Sequence, residues 1–358
     1  MAQPLNSAQV ARLAIAGSWR SPGTLWLAAL LGLALSGCEA ERQYQSYSGQ
    51  TMGTYYRVTC DCAPGQAVLD SELQNVNRQM SNYDEQSDLS RINRAPVGEW
   101  QPLGADLYQV LDYAARVYEL SAGAFDITVA PVLALWGFGP DAGPLEQQPD
   151  PATLQEAARR VDGAAVRLRT EPAAVRREQD VMLDLSALAK GHGVDRVATR
   201  LEELGCEHFL VDIGGEVRAQ GLSPQQRAWR VGVEVPDAQS RGSVARVVHL
   251  RNQAIATSGD YRNFIELAGS EATDTPQRWS HTIDPRTAQP VRHTLASVSV
   301  LAATAMQADA LATALNVLGP EAGYTLAQQQ GLAVLFIERT AQGYQQRYTP
   351  AFEDALEP

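Results

Sequence analysis

Alternating apolar and polar positions predict that strands make up much of this chain. Residues 229–235 alternate strictly, with Trp or Val at every second position, as in a strand buried on one face. Residues 44–63 are rich in Tyr, Thr and Val around Gly53, which predicts a strand or a hairpin with a glycine kink. Further apolar runs predict strands at 166–175, 208–213, 296–302 and 332–338, and the runs at 244–250 and 254–257 are expected to continue the sheet of the strand at 229–235.

Apolar residues that recur three or four positions apart predict the helices. Residues 69–80 carry one such stripe, and residues 106–120 carry another that ends before Gly123. The same reasoning predicts helices at 153–161, 190–204 and 305–318. Because strands outnumber helices and occur in runs, we expect an α+β fold with mixed or antiparallel sheets and packed helices, rather than a doubly wound sheet.

The segment from Asp184 to Asp195 combines features of a phosphate site. It follows an apolar run at 181–183, which predicts a strand, and it opens a predicted helix with Lys190 and Gly191 near the first turn. Free backbone N–H groups, the helix dipole and a lysine together suit a phosphate group. Taken alone, this segment is explained equally well by ordinary packing.

The chain is acidic, since 29 Lys and Arg against 41 Asp and Glu give a formal net charge of −12. This balance argues against a nucleic-acid surface, which needs clustered cationic side chains. Its 358 residues, 45% hydrophobic and 20% charged, have the composition of an ordinary globular protein. A phosphate-bearing ligand must therefore be bound locally, by a metal ion or by helix ends.

The first 37 residues resemble a secretory leader. Arg12 and Arg20 precede an apolar run at 25–35 that is too short to span a membrane and is followed by Ser36-Gly37-Cys38. A small-residue pair before a cysteine resembles the bacterial lipobox, in which the cysteine is lipidated and becomes the new N-terminus. We expect a lipoprotein signal peptide at 1–37, a tether at 38–50 and one large domain at 51–350.

The spacing of the three remaining cysteines does not indicate a chemical role for them. Cys60 and Cys62 are too close in sequence for an easy mutual disulfide, and one of the three must be unpaired. They show no metal-binding C-x-x-C spacing. We interpret Cys60, Cys62 and Cys206 as buried or surface thiols.

Asp309 and Thr313 form a candidate cation site on the predicted helix at 305–318. Four residues apart, they project from one helix face, one turn above the other. A carboxylate and a hydroxyl are hard oxygen ligands of the kind that Mg²⁺ prefers, with phosphates and waters completing its octahedron. The simpler interpretation of this pair is a carboxylate at a helix start and a packed threonine.

Three other segments contain candidate ligand contacts. His281 precedes the turn Asp284-Pro285-Arg286-Thr287, and it is either a general base or a histidine bonded to that turn. Tyr83 is either a ring that stacks on a flat ligand or a buried structural tyrosine. Residues 123–139, an apolar run interrupted by glycine, proline and aromatic residues, form either a shaped pocket wall or a core segment with turns.

Eight motifs in the same order resemble the ApbE-type flavin transferases, that is, FAD:protein FMN transferases, many of which are bacterial lipoproteins. Each is weak alone, but together they cover most of the chain after the leader. They are Met52-Gly-Thr-Tyr; Met80-Ser-Asn-Tyr83 with Leu89-Ser-Arg-Ile-Asn; Gly123-Ala-Phe-Asp126 with Leu135-Trp-Gly-Phe-Gly; Asp184-Leu-Ser-Ala-Leu-Ala-Lys-Gly; Val211-Asp-Ile-Gly-Gly-Glu; Thr257-Ser-Gly-Asp-Tyr; His281-Thr-Ile-Asp-Pro-Arg-Thr; and Asp309-Ala-Leu-Ala-Thr. One departure is Ala288, where the family's turn usually has glycine, so that turn is expected to differ slightly.

The resemblance implies a phosphoryl transfer. FAD is bound with Mg²⁺ on its pyrophosphate, a threonine or serine hydroxyl of a partner protein attacks the FMN-side phosphorus, and AMP leaves. Carried over by position, the metal ligands are Asp309, Thr313 and the backbone oxygen of Ala187. Asp309 also helps to ready the attacking hydroxyl, with His281 as the second candidate base. The residues expected to contact FAD are Met52, Tyr83, Ala124, Phe125, Asp126, Asp184, Lys190, His281 and Ile283.

The same resemblance implies an ApbE-like domain that is lipid-anchored in the bacterial cell envelope and faces the periplasm. Its expected acceptor is a subunit of a respiratory membrane complex. Two other functions stay open from the sequence. A Mg²⁺-dependent FAD pyrophosphatase would release FMN and AMP from the same site, and a flavin-binding lipoprotein would need no metal pair.

Overall fold

The computed structural model describes residues 42–356, except 141, 144, 146, 238–241, 261–263 and 268–276. The described residues from Gln43 onward form a single domain. The expected signal peptide and Cys38 lie outside the described residues and stay predictions.

The described residues form seventeen strands, which outnumber the helices as predicted. In chain order they are β1 (Gln45–Thr51), β2 (Thr54–Cys60), β3 (Gln101–Pro102), β4 (Val166–Thr170), β5 (Ala173–Arg177), β6 (Phe209–Ile213), β7 (Glu216–Gln220), β8 (Trp229–Glu234), β9 (Val244–Leu250), β10 (Gln253–Gly259), β11 (Phe264–Leu267), β12 (Gln277–Ser280), β13 (Ile283–Asp284), β14 (Gln289–Pro290), β15 (Leu295–Ala302), β16 (Ala333–Thr340) and β17 (Gly343–Tyr348).

Eight of these strands form a central antiparallel sheet in the order β1-β2-β6-β7-β10-β15-β16-β17. The predicted hairpin at 44–63 is confirmed. Thr51 pairs with Thr54, and Met52 and Gly53 between them both have positive φ, of 48° and 72°. Two such residues make the tight turn that matches the twist of an antiparallel pair. The predicted α+β class is confirmed as well.

Three strand predictions differ from the structure. The run at 166–175 forms two strands, β4 and β5, which pair with each other as an antiparallel hairpin. The strands at 229–235 and 244–250 exist, but β8 and β9 pair with each other in a separate two-stranded sheet instead of continuing the main one. The run at 181–183 forms no strand, and its one sheet-like contact is an isolated bridge between Met182 and Val129. Its apolar character instead reflects burial of Val181 and Leu183 in the core.

The described residues form eight α-helices. They are α1 (Gln66–Met80), α2 (Asp88–Arg94), α3 (Ala105–Leu120), α4 (Ala130–Leu135), α5 (Pro151–Ala158), α6 (Ala189–Glu203), α7 (Ala305–Gln329) and α8 (Pro350–Glu353). The predicted helix at 305–318 therefore continues for eleven residues. At the join, Gly319 has φ of 80° and is followed by Pro320, so two helical segments meet there with a break.

Helices α6 and α7 cross closely where the site forms. A Cβ on Gly191 would lie 2.4 Å from the backbone oxygen of Ala305, so a side chain is excluded there. Asp195, also on α6, accepts hydrogen bonds from the backbone N–H groups of Ala305 and Met306, at 2.9 Å each. The start of α7 is thereby fixed against α6, with Asp309 one turn further on.

Cys62 and Cys206 form a disulfide, so the interpretation of both as thiols is wrong. Their positions meet because β2 pairs with β6, which brings the end of β2 beside the segment before β6. This proximity is set by strand pairing across 144 residues and leaves no signal in the local spacing. Among the described cysteines, Cys60 alone stays free, and it is buried.

None of the helices in the described part of the chain combines the length and the apolar composition needed to cross a bilayer.

Candidate active site

A cavity of about 500 Å³ brings together residues from distant parts of the sequence. The predicted site residues that line it are Met52, Ala124, Phe125, Asp126, Asp184, Ala187, Lys190, His281, Ile283, Asp309 and Thr313. Tyr83 does not line the cavity. It is 70% exposed, so the interpretation as a buried tyrosine is wrong. It follows Asn82, whose Nδ2 donates to Asp184 Oδ2 at 2.8 Å, and it therefore lies near the rim.

Lys190 lies between two carboxylates in this cavity. Its Nζ is 3.4 Å from Glu216 Oε1 and 3.7 Å from Asp309 Oδ2. The backbone N–H of Gly191 also donates to Asp309 Oδ2, at 3.1 Å. Lys190 thus lies at the start of a helix, as predicted, and its ammonium faces the buried carboxylate of Asp309.

The charges in this group are strongly coupled. Burial raises the pKa of Asp309 to about 7, although the ammonium of Lys190 acts in the opposite direction. Burial also acts to lower the pKa of Lys190, but the carboxylates of Asp309 and Glu216 outweigh it and raise that pKa. One ammonium therefore faces two carboxyl groups, and a cation beside Asp309 would stabilise the buried charge that burial disfavours.

Three oxygen groups could hold that cation. Asp309 and Thr313 lie one turn apart on α7 and both line the cavity. Ala187 also lines the cavity, and its carbonyl oxygen is the third candidate ligand, since the N–H of Gly191, four residues on, donates to Asp309 Oδ2. Ser258, which the sequence analysis named only within a motif, has its Oγ 3.2 Å from Thr313 Oγ1. This set of hard oxygen donors fits Mg²⁺.

Asp126 and Asp184, which are expected to contact FAD, form hydrogen bonds within the protein through their carboxylates. Asp126 accepts hydrogen bonds from the N–H and the hydroxyl of Thr128 and from the N–H of Gly163. Asp184 accepts from Asn82 and from the N–H of Ser186. Both line the cavity, and their bonds hold the backbone of its wall in place.

His281 lines the cavity from the segment between β12 and β13, with its ring edge-on to Phe138 at a centroid distance of 6.2 Å. The following turn is closed by Asp284, which pairs with the guanidinium of Arg286 at 2.8 Å. Ala288 ends this turn with φ of 57°, so the departure from glycine leaves an alanine in the left-handed region. An alanine adopts this conformation at a higher conformational cost than glycine does.

Glu216 is a second residue that the sequence analysis named only within a motif. It is 4% exposed, lines the cavity and pairs with Lys190. The sequence could have indicated Glu216 as a site residue by its position. It directly follows Gly214-Gly215, after the end of β6, and it is the first residue of β7.

A second cavity, of about 600 Å³, lies beside the first and shares Leu133 and Asp184 with it. Its lining is mainly apolar, with Met182, Phe138 and residues of α4. The ammonium, the buried carboxylates and the hydroxyl groups converge in the smaller cavity, which is therefore the candidate active site.

Comparison with known proteins places this chain in a described family. The profile of the ApbE family matches residues 52–336. The FAD:protein FMN transferase of Haemophilus influenzae is 38% identical over 343 residues, which cover 92% of this chain and 97% of that protein. The one of Vibrio cholerae is 38% identical over 340 residues, which cover 92% and 98%.

Solved structures of ApbE flavin transferases have the same fold as this chain. The flavin transferase ApbE from Vibrio cholerae has a TM-score of 0.78 at 35% identity, covering 88% of this chain and 99% of that chain. The Pseudomonas stutzeri flavinyl transferase ApbE, in its apo form, has a TM-score of 0.78 at 34% identity, covering 88% and 97%. The profile match, the sequence identity and the shared fold all extend over most of the chain, which therefore belongs to the ApbE family.

Proposed function

We propose that this chain is an FAD:protein FMN transferase, which moves the FMN part of FAD to a partner protein. The curated relatives that it matches over nine tenths of its length carry this name. The observation that carries the proposal is the convergence of Lys190, Asp309 and Thr313 in one cavity, because an ammonium and a cation site together suit a pyrophosphate.

The reaction forms a phosphoester bond. A threonine or serine hydroxyl of the acceptor attacks the FMN-side phosphorus, and AMP leaves with the bridging oxygen. Catalysis of such a transfer consists mainly of positioning and of stabilising charge on the phosphoryl oxygens. A buried, preorganised cavity serves both needs.

Mg²⁺ is the metal that the site suits best. Asp309, Thr313 and the carbonyl oxygen of Ala187 would hold it, and Ser258 supports the hydroxyl of Thr313. Bound there, it would supply positive charge against the pyrophosphate. Lys190 is held in place by Glu216 and Asp309 and directs its ammonium to the same region.

The remaining contacts to FAD come from the cavity wall and its rim. Met52, the segment 124–126, Asp184 and the segment 281–283 line the cavity, and Tyr83 lies exposed near the rim, where its ring is free to cover a flat ligand. Asp309 and His281 are the two candidates of the sequence analysis for readying the hydroxyl. The acceptor that we propose is a respiratory membrane-complex subunit with a threonine or serine flavinylation site.

The test combines the purified protein with FAD, Mg²⁺ and a candidate acceptor. After denaturation, flavin fluorescence should stay with the acceptor, in amounts that match the AMP released. Asp309→Ala should abolish the transfer, whereas Glu321→Ala should retain it, since Glu321 is an 81% exposed carboxylate on the same helix. AMP and free FMN without labelled acceptor would indicate a pyrophosphatase. Bound FAD without either product would indicate a flavin-binding protein.

Membrane attachment belongs to the same proposal. We infer that the leader is removed at residue 37 and that lipidated Cys38 anchors the protein in the cell envelope, facing the periplasm. Cys38→Ala should then move the protein from the membrane fraction to the soluble fraction without changing its turnover. Retention of the variant in membranes would refute the lipid anchor.

A further inference from the structure

A third cavity, of about 290 Å³, shares Gly214 and Thr257 with the candidate active site. Strand β8 contributes residues 230–234 to its lining, and the rest of the lining comes from the main sheet. The residues from the main sheet are Tyr55, Leu210, Asp212, Gly214, Gly215, Val217 and Thr257. This cavity, the β8 groove, therefore lies between the separate β8–β9 pair and the main sheet, and it adjoins the candidate active site at the turn between β6 and β7.

The edge of β8 along this groove carries backbone groups that no other described strand pairs with. β8 pairs with β9 alone among the described strands, and no residue of β9 lines the groove. His249 of β9 lies opposite Arg230, but it donates its N–H to the oxygen of Ala355, away from β8, at 3.1 Å. Opposite residues of an antiparallel pair exchange both backbone hydrogen bonds or none, in alternation. Arg230 and, two residues on, Gly232 therefore direct their N–H and C=O groups to the edge that borders the groove.

An extended polypeptide segment is the ligand that such an edge accepts. Its backbone can pair with Arg230 and Gly232 and add a third strand to the β8–β9 pair, which is a recurring mode of peptide recognition. Both residues are exposed, so an incoming chain can reach them. The edges of the main sheet, β1 and β17, are also open on one side, but their described residues line neither the β8 groove nor the candidate active site. The β8 edge is thus placed to bind a segment that must also reach the site.

We propose that the acceptor protein binds with the segment that carries its threonine or serine extended along β8, so that the hydroxyl enters the site past Gly214 and Gly215. This inference rests on the proposed transferase function. The acceptor is the polypeptide reactant of that function, and its hydroxyl must reach a phosphorus held inside a cavity. The turn between the groove and the site is bare backbone, because Gly214 and Gly215, with φ of 63° and 109°, place no side chain there.

Arg230→Pro and Arg230→Ala form a matched pair of variants. Both remove the guanidinium, but only proline removes the N–H at the open edge, where a strand tolerates proline because that N–H is outside the ladder. The probe is the acceptor domain that the parent protein labels, with FAD and Mg²⁺. We expect the KM for this domain to be about 10-fold higher in Arg230→Pro than in Arg230→Ala, because an edge hydrogen bond is lost. The two variants should have the same kcat and the same Kd for FAD.

Hydrogen exchange of the parent protein is a second test, which needs no variant and decides the matter if Arg230→Pro fails to fold. An acceptor domain with alanine in place of its flavinylated threonine can bind without reacting. When this domain is added to the protein with FAD and Mg²⁺, the amides of residues 229–234 should exchange more slowly. The amides of β17, an edge outside both cavities, are the control and should exchange as before.

Two results would overturn the proposal. Equal KM values in folded Arg230→Pro and Arg230→Ala would show that the β8 edge does not pair with the acceptor. Slower exchange around Phe138 and α4, with residues 229–234 unchanged, would place the acceptor at the second cavity instead. Both differ from failure of the proposed function, in which the parent protein itself would label no acceptor.

Discussion

Asp195 caps the helix that carries Asp309 and Thr313, since its Oδ2 accepts the backbone N–H of Met306 at 2.9 Å. Its Oδ1 accepts the N–H of Ala305 at 2.9 Å and also pairs with Arg218 at 3.2 Å. A carboxylate on α6 thus satisfies two N–H groups that α7 leaves free at its start. This contact joins the segment from Asp184 to Asp195 to the helix that carries Asp309.

Asp195→Ala should therefore lower the free energy of unfolding by about 3 kcal/mol, because it leaves two buried N–H groups without their acceptor and leaves Arg218 paired with Glu202 alone. It should also lower FMN transfer, since Asp309 follows on the same helix. Urea denaturation and the transfer assay measure the two effects. Thr304→Ala, which removes one neutral cap to Gln307, should cost about 1 kcal/mol. Equal losses in the two variants would argue against the special role of Asp195.

Gly191→Ala and Gly193→Ala should differ although they lie two residues apart on α6. A Cβ at Gly191 would meet backbone atoms of Ala305 and Met306 at 2.4 to 2.7 Å, so the helices must separate, at a cost of about 1–3 kcal/mol or more. A Cβ at Gly193 would meet the flexible end of Met52 at 2.8 Å. That substitution should be close to neutral, since alanine favours the helix. Thermal unfolding compares them, and similar stabilities would contradict the close crossing of α6 and α7.

The disulfide should contribute strongly to stability because Cys62 and Cys206 are 144 residues apart. The double variant Cys62→Ala/Cys206→Ala should lose about 2–5 kcal/mol in urea denaturation, and a reductant should not destabilise it further. Cys60→Ala is the matched control, since the buried Cys60 is free. It should keep the sensitivity to reductant that the parent shows. A parent protein indifferent to reductant would contradict the pairing.

His192 should make the protein less stable in acid. Burial lowers its pKa from 6.5 to about 4, with the nearby charge of Asp106 acting the other way and that of Arg196 in the same direction. Between these values the unfolded chain binds a proton that the folded chain does not, so the free energy of unfolding falls as the pH falls. Below about pH 4 the loss levels off, at about 3 kcal/mol.

His192→Gln removes this titration, so its stability should depend less on pH between 7 and 4 than that of the parent. Urea denaturation at several pH values gives both curves. Parallel curves would show that His192 is protonated as easily in the folded protein as in the unfolded one.

Local sequence patterns were sufficient to predict most of the helices and strands. The stripe at 69–80 became α1, and the residues around Gly53 became a hairpin because a tight turn needs residues that tolerate positive φ. The prediction of a strand at 181–183 was wrong because an apolar segment of three residues is buried equally well as a strand or as a core-facing turn. The prediction that β8 and β9 belong to the main sheet was wrong because alternation of apolar and polar residues reveals a buried face but not the sheet in which the strand lies.

Sequence alone determined the family, through eight motifs in order, and it also determined the positions of Asp309, Thr313 and Lys190 on helical segments. Only the tertiary structure decided that Cys62 reaches Cys206, that Ser258 approaches Thr313 and that one buried oxygen of Glu216 has no partner among the described residues. The physical reason is the same in each case. Periodicity and turn chemistry act over a few residues, whereas these contacts depend on strand pairing and helix crossing between segments far apart in the chain.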